Sequence, residues 1–274
     1  MQTNETKGIF NATGANIYFE SKGNGENILV LHAGIADSRM WDNEFHLLSE
    51  KYRVVRLDLP GFGLSDFTGG NYSYSNIINE ILTHLDINHT HILAASFGGK
   101  IAIDFYLDHS EKCLSLALLS PALGGWEDSS FLQEYEEEEE KLLQEGKIEE
   151  IALFNYKTWI LRNRSPELIN TDVKQLVVDM QTEFLTKPEL DYSCEEIETK
   201  DNILQIKNIQ VPVLIINGEY DVQDFQDISE LMSNEIPHIK NCTIPKAAHL
   251  ANMESPKQFF KLISEFFADN SNNS

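Results

Sequence analysis

The sequence predicts an α/β fold: a mostly parallel sheet covered by helices and interrupted by one helical insertion. Two observations carry that expectation. Short apolar, β-branched runs recur with amphipathic stretches between them, as in a sheet buried on both faces. This alternation stops between about residues 122 and 201 and then resumes. A chain of 274 residues is long enough for one large core, or one core with an inserted subdomain.

Taken in order, residues 9–21 resemble an antiparallel hairpin leading into the sheet. "NILVLHAG" (27–34), "RVVRLDL" (53–59), "HILAAS" (91–96), "LSLALLS" (114–120) and "VPVLIING" (211–218) read as buried strands, and 238–244 as the last one. Residues 38–50, 72–86 and 97–110 carry apolar side chains at helical spacing. The insertion opens "PALGGWEDSSFLQEYEEEEEKLLQEGKIEEIALF" and continues without a strand-like run. It is read as a cap over 122–201, with 1–121 and 202–274 forming the core. Within it, Glu136–Glu140 is expected to be the solvated face of a helix rather than a metal site. The last helix is "SPKQFFKLISEFF", with Pro256 in its first turn, and the tail "ADNSNNS" is expected to be disordered.

Charge narrows the function. A formal net charge of −23 repels phosphate backbones and anionic lipid, so neither nucleic acid nor a membrane surface is an expected partner. It leaves open the local potential inside a pocket. Cys113, Cys194 and Cys242 are far apart, form no CxxC pair and read as free thiols in a reducing compartment. "MQTNETKGIF" is polar and no apolar run reaches the length of a membrane span, so a cytoplasmic protein is expected. Without a secretory signal, N-x-S/T triplets such as that at Asn11 read as chance.

The chemistry centres on "HILAASFGGKIAIDFY", where a strand meets a helical pattern at Ser96. A serine in a sharp strand-to-helix turn needs small neighbours, and Ala94, Ala95, Gly98 and Gly99 supply them. The competing reading is a plain helix cap. A serine nucleophile also needs a base, and the base needs an orienting acid. "NGEYDVQDF" puts Asp221 just beyond strand 211–217, and "IPKAAHLANMESP" puts His249 beyond strand 238–244. Parallel strands bring their carboxyl ends together, so Ser96, Asp221 and His249 converge on one edge, in the chain order of α/β-hydrolases. The loop after strand 28–32 offers the Gly34 backbone N–H, beside that of Phe97, as an oxyanion hole. His32 reads as a ring that holds this loop by hydrogen bonding.

Five segments carry a wider likeness: "HAG" (32–34), "DLPGFGLS" (58–65), "ASFGG" (95–99), "NGEYD" (217–221) and "AAH…ESP" (247–256). Through them the chain resembles the α/β-hydrolase superfamily over nearly its whole length. "HAGIADSRMWD" is similar to the 3-oxoadipate enol-lactonase-like subgroup, and the chain as a whole also resembles carboxylesterase members of the superfamily. The resemblance implies a mostly parallel eight-stranded sheet, a helical cap and a Ser-His-Asp triad needing no cofactor or metal. It also implies that Asp58, Gly61, Gly63 and Ser65 form a structural turn. Ala94 and Ala33 depart from the glycines usual at their positions.

The activity implied is hydrolysis of a small ester or lactone through an acyl-enzyme, by a monomer or homodimer. Alternatives on the same fold are carbon-carbon bond hydrolysis of a meta-cleavage dienoate, a non-catalytic ligand receptor, and a perhydrolase-like side activity. In the cap, Trp126, Phe131, Tyr135, Phe154, Tyr156 and Trp159 are candidates for an apolar pocket. Trp126, Tyr135 and Trp159 are singled out as substrate-binding, although packing is the usual role of such aromatics. Arg162 and Arg164 either bind a substrate carboxylate or form a solvated helix end.

Overall fold

A computed structural model describes residues 5–188, 193–198 and 202–271. The hairpin comes first, β1 (Glu5–Ala12) paired antiparallel with β2 (Ala15–Lys22) around Gly14 at φ +82°. Then follow β3 (Asn27–Leu31), a 3₁₀ turn Ser38–Trp41, α1 (Asp42–Leu48), β4 (Arg53–Leu57), and the short β5 (Asp66–Phe67) and β6 (Gly70–Tyr72). Ser73 caps α2 (Tyr74–His84) through the Asn76 N–H, and α2 buries Ile77, Ile78, Ile81 and Leu82 on one face. Next come β7 (Thr90–Ala95), α3 (Phe97–Asp108) and β8 (Cys113–Leu119).

The segment between β8 and the next sheet strand holds α4 (Ser130–Gln144), α5 (Ile148–Asn155), a π-helical stretch Tyr156–Leu161 and α6 (Thr171–Leu185). It also holds a strand that its sequence does not announce. β9 (Cys194–Glu196) pairs parallel with β6, in a two-stranded sheet. Three residues of "CEE" have no periodicity to read, and the pairing depends on a partner more than a hundred residues away.

The chain closes with α7 (Asn202–Gln205), β10 (Val213–Gly218), α8 (Gln223–Glu235), β11 (Ile239–Ile244), α9 (Ala251–Glu254) and α10 (Pro256–Asn270). α10 starts on Pro256 and buries Phe259, Ile263 and Phe267, one turn apart. It runs through three residues of the tail expected to be disordered, because Asn270 Nδ2 and Ser271 Oγ bond the carbonyls of the last turn. Residues 272–274 of that tail lie outside the described residues.

The main sheet runs β1-β2-β4-β3-β7-β8-β10-β11, with β5 added to β2. β2 pairs antiparallel with β1 and β4, and every later junction is parallel. Alternate residues of the central strands enter opposite cores. Leu93 and Ala95 join Trp41 and Phe259 on one face, while Ile92 and Ala94 join Ile101 and Phe105 on the other. From β3 the chain steps to β4 on one side and later returns to β7 on the other. The carboxyl ends of β3 and β7 therefore flank the point where strand order reverses, the crevice where open α/β sheets bind ligands. Among the described residues no helix is long and apolar enough to cross a membrane.

Candidate active site

Ala95 ends β7 and Phe97 begins α3, so Ser96 alone makes the turn, at φ +49° and ψ −115°. Such backbone costs a non-glycine residue about 1–3 kcal/mol and persists only where its surroundings enforce it. Here the Ser96 N–H donates to the Leu119 carbonyl at 2.9 Å, and its own carbonyl accepts from Lys100 and Ala122 at 3.1 and 3.0 Å. The glycines are steric requirements. A Cβ on Gly98 would stand 2.4 Å from the His32 carbonyl oxygen, and one on Gly99 2.9 Å from Pro121 Cβ. Ala94 differs because it lies within the strand, paired with Leu31 and Leu118, with its methyl wholly buried in the sheet face. The extra carbon fills core there and does not obstruct the turn.

The loop beyond β3 is held by His32. Its Nε2 accepts the Leu59 N–H at 2.9 Å, so Nδ1 carries the proton and donates to the Ala33 carbonyl at 2.8 Å. Complete burial keeps the ring well below the usual histidine range, and the neutral form is the one this network needs. Asp58 fastens the adjoining turn by accepting the Ser38 and Leu64 N–H groups at 2.9 and 2.8 Å. Ser65 closes it with a hydroxyl bond to the Asp58 carbonyl at 2.6 Å. Gly63, at φ +47°, passes so near the carboxylate that a Cβ would lie 2.2 Å from Asp58 Oδ2. A Cβ on Gly34 would stand 3.5 Å from that of Phe97. Among the described residues neither of their two N–H groups has a hydrogen-bond partner.

Asp221 follows β10 and His249 follows β11, and the two meet with their side chains almost wholly buried. His249 Nδ1 lies 2.8 Å from Asp221 Oδ1, which also accepts the Val222 N–H at 2.8 Å. A carboxylate only accepts, so Nδ1 of the neutral ring holds the proton and Nε2 keeps a lone pair. The imidazole packs against Trp159 and Phe225, with ring centroids 4.7 and 4.5 Å away, the first tilted and the second edge-on. Its loop is pinned from the insertion. The His249 N–H donates to the Trp159 carbonyl at 3.2 Å, and Arg164 Nη1 donates to the Lys246 carbonyl at 2.6 Å. Glu254 accepts the Ala248 N–H at 2.8 Å and pairs with Arg164 at 2.6 Å.

Ser96, His249, Gly34 and Phe97 line one cavity of about 450 Å³. Tyr135 and Trp159 line it too, together with Phe62 and Phe184, whose rings stack 4.6 Å apart. Trp126 does not. Its indole bonds Asp224 Oδ1 at 3.3 Å and packs against the core on the other face of the sheet, since Asp224 also collects Ser129 and fixes the approach to α4. Nor does Arg164 form a solvated helix end: it is buried in the ion pair with Glu254. Arg162 turns to the Tyr220 and Thr158 carbonyls. Phe131 is exposed, and Phe154 stacks on Tyr135.

Seven lining residues escaped sequence reasoning: apolar Ile35, Phe62 and Phe184, and four polar ones. Tyr135 OH donates to Asn155 Oδ1 at 2.8 Å, and Asn155 Nδ2 bonds Glu139 and Gln181 at 2.7 and 2.6 Å. Glu136 stands beside them. The acidic run is therefore not all solvated face, because α4 turns two of its carboxylates to the cavity. No motif marks these positions, although the three-residue spacing of Glu136 and Glu139 allows one shared helix face.

Comparison with known proteins agrees with this architecture. The family model for the alpha/beta hydrolase fold matches residues 26–256. A pimeloyl-[acyl-carrier protein] methyl ester esterase of Nitrosomonas europaea is 23% identical over 250 residues, covering 89% of this chain and 97% of that one. A thermophilic esterase structure from Thermogutta terrifontis matches with a TM-score of 0.78 at 22% identity, over 97% of this chain and 100% of that one. The enol-lactonase structure from Burkholderia xenovorans gives 0.77 at 17% identity, over 95% and 100%. At such identities the structural likeness speaks to the fold.

Proposed function

The chain belongs to the alpha/beta hydrolase fold family, and from that premise we propose that it is a serine hydrolase of small carboxylic esters or lactones. What supports the reading most is one arrangement: a serine held at φ +49° lines the same cavity as a histidine whose Nδ1 is committed to a buried aspartate. The esterase names of relatives point the same way.

In this mechanism His249 Nε2 removes the Ser96 hydroxyl proton as Oγ attacks the substrate carbonyl carbon. The Gly34 and Phe97 N–H groups receive the developing oxyanion, where each donor is typically worth about 10²–10³ in turnover. Collapse of the tetrahedral intermediate breaks the bond to the leaving oxygen, which takes the proton from His249. Water then attacks the acyl-serine, giving its proton to His249, and the acid leaves as Ser96 is reprotonated. Asp221 fixes the tautomer throughout and stabilises the imidazolium. Residues 122–201 act as the cap, with α4–α6 as its helical body, and Tyr135 and Trp159 contact the substrate.

The test is turnover of p-nitrophenyl acetate and butyrate by the parent protein and by Ser96→Ala. The expected loss in kcat is about 10⁴-fold or more. Equal turnover by the two proteins, or none by the well-folded parent, contradicts the reading.

A further inference from the structure

The cavity over Ser96 is lined by two glutamates, and among the described residues no arginine or lysine lines it. Glu136 and Glu139 share a face of α4. Glu139 accepts from Asn155 Nδ2 at 2.7 Å, a neutral donor that solvates the charge without cancelling it. Glu136 has no ion-pair partner among the described residues, and partial burial with Asp128 and Glu139 nearby raises its carboxyl above the usual range. The arginines around the site are committed elsewhere. Arg39 pairs with Asp37 and Glu183, each at 2.6 Å, and Arg164 with Glu254 at 2.6 Å. Arg162 is spent on two backbone carbonyls.

The walls suit a cation as well as the charge does. Tyr135 and Trp159 line the cavity with ring centroids 5.1 Å apart, close to edge-on at 81°. Ring faces attract ammonium groups, and a cleft walled by one sign of charge concentrates the opposite sign. The net charge of −23 adds to the same field.

We propose that this pocket sorts its esters by charge: Glu136 and Glu139 favour an acyl group bearing an ammonium over an uncharged one, and turn away one bearing a carboxylate. The inference rests on the hydrolase reading and narrows it. The carboxylate of an enol-lactone from a dicarboxylic acid, or of a meta-cleavage dienoate, would meet two like charges and no cationic partner among the described lining residues.

The experiment compares three p-nitrophenyl esters of similar length: γ-trimethylammoniobutyrate, its uncharged tert-butyl isostere, and glutarate. Each kcat/KM is divided by that ester's own rate of hydroxide hydrolysis, which removes intrinsic reactivity. The cation-to-anion ratio is expected at about 10–100 in the parent protein, with the uncharged ester between, and within about threefold of unity in Glu136→Gln/Glu139→Gln. A parent ratio under about 10 overturns the inference, as does one that the double substitution leaves above about 10. A low parent ratio overturns the inference even if the double variant folds poorly, and the single substitutions Glu136→Gln and Glu139→Gln, each expected to lower the ratio, then replace it. Turnover of the uncharged ester without a charge preference removes this inference alone. No turnover of any ester by folded protein removes the hydrolase reading and this inference with it.

Discussion

The two sides of the cavity are built differently. On the sheet edge the geometry belongs to the backbone: a serine at positive φ, two N–H groups without partners among the described residues, and glycines where a Cβ would meet backbone or a carboxylate at 2.4 and 2.2 Å. On the insertion side it belongs to side chains, in the Tyr135–Asn155–Gln181 network and the Phe62–Phe184 stack that bridges to it. Backbone held by close-packed strands has one arrangement, whereas side chains on helices can be exchanged without moving the helix. The edge is thus suited to fixing the reaction and the insertion to choosing the substrate.

That contrast breaks if substitutions on the two sides behave alike. The largest effect is expected from Asp221→Asn, which retains the shape but misorients the His249 proton. Its kcat should fall about 10⁴-fold for every ester, with thermal stability little changed. A loss confined to some esters would move Asp221 out of the catalytic set. Phe184→Ala, on α6, should act selectively. Its kcat/KM for butyrate relative to acetate should change about tenfold, with acetate turnover within about threefold of the parent, because one aromatic wall is worth roughly a hydrophobic contact. A uniform loss across both esters would erase the distinction.

Smaller effects should appear in stability alone. Glu44, buried in α1 behind the β3 loop, has its carboxyl pushed up to about 7 by burial. The folded protein therefore holds this proton more tightly than the unfolded chain. The associated stability is complete below about pH 4.5, the ordinary carboxyl value, and is lost as pH rises through about 7. The loss is of order 3 kcal/mol. Urea midpoints from pH 4.5 to 8 should show that slope in the parent and lack it in Glu44→Gln. Equal slopes would show that Glu44 is not the group responsible. Ala94→Gly, which restores the residue usual at the turn, should change kcat less than about twofold and cost about 1 kcal/mol in urea unfolding. A rise in kcat beyond that would mean the methyl does strain the elbow.

The same division governs what could be read from the chain. The placement of Ser96, Asp221 and His249 was legible because strand ends are marked by apolar runs, and a parallel sheet puts the following residues on one edge. His32 and the Asp58–Ser65 turn were legible for a similar reason, with glycines marking close backbone approach. Trp126 was misplaced because helical spacing cannot say which neighbour a ring will meet, and here Asp224 claimed it. Arg164 looked like a surface charge until Glu254, ninety residues on, supplied its partner. The acidic run hid Glu136 and Glu139 because its five glutamates look alike, and only the seating of α4 distinguishes them. β9 and the end of α10 were missed because short segments are decided by tertiary partners rather than by propensity.

The most direct measurement is to treat the parent protein and Ser96→Ala with a fluorophosphonate, then follow intact mass and map the modified peptide. A single adduct on Ser96, formed at the rate at which ester hydrolysis is lost and absent from the variant, is the expected result. An adduct at another serine, or full hydrolysis by a parent protein that takes up none, would contradict the assignment of Ser96 as the nucleophile.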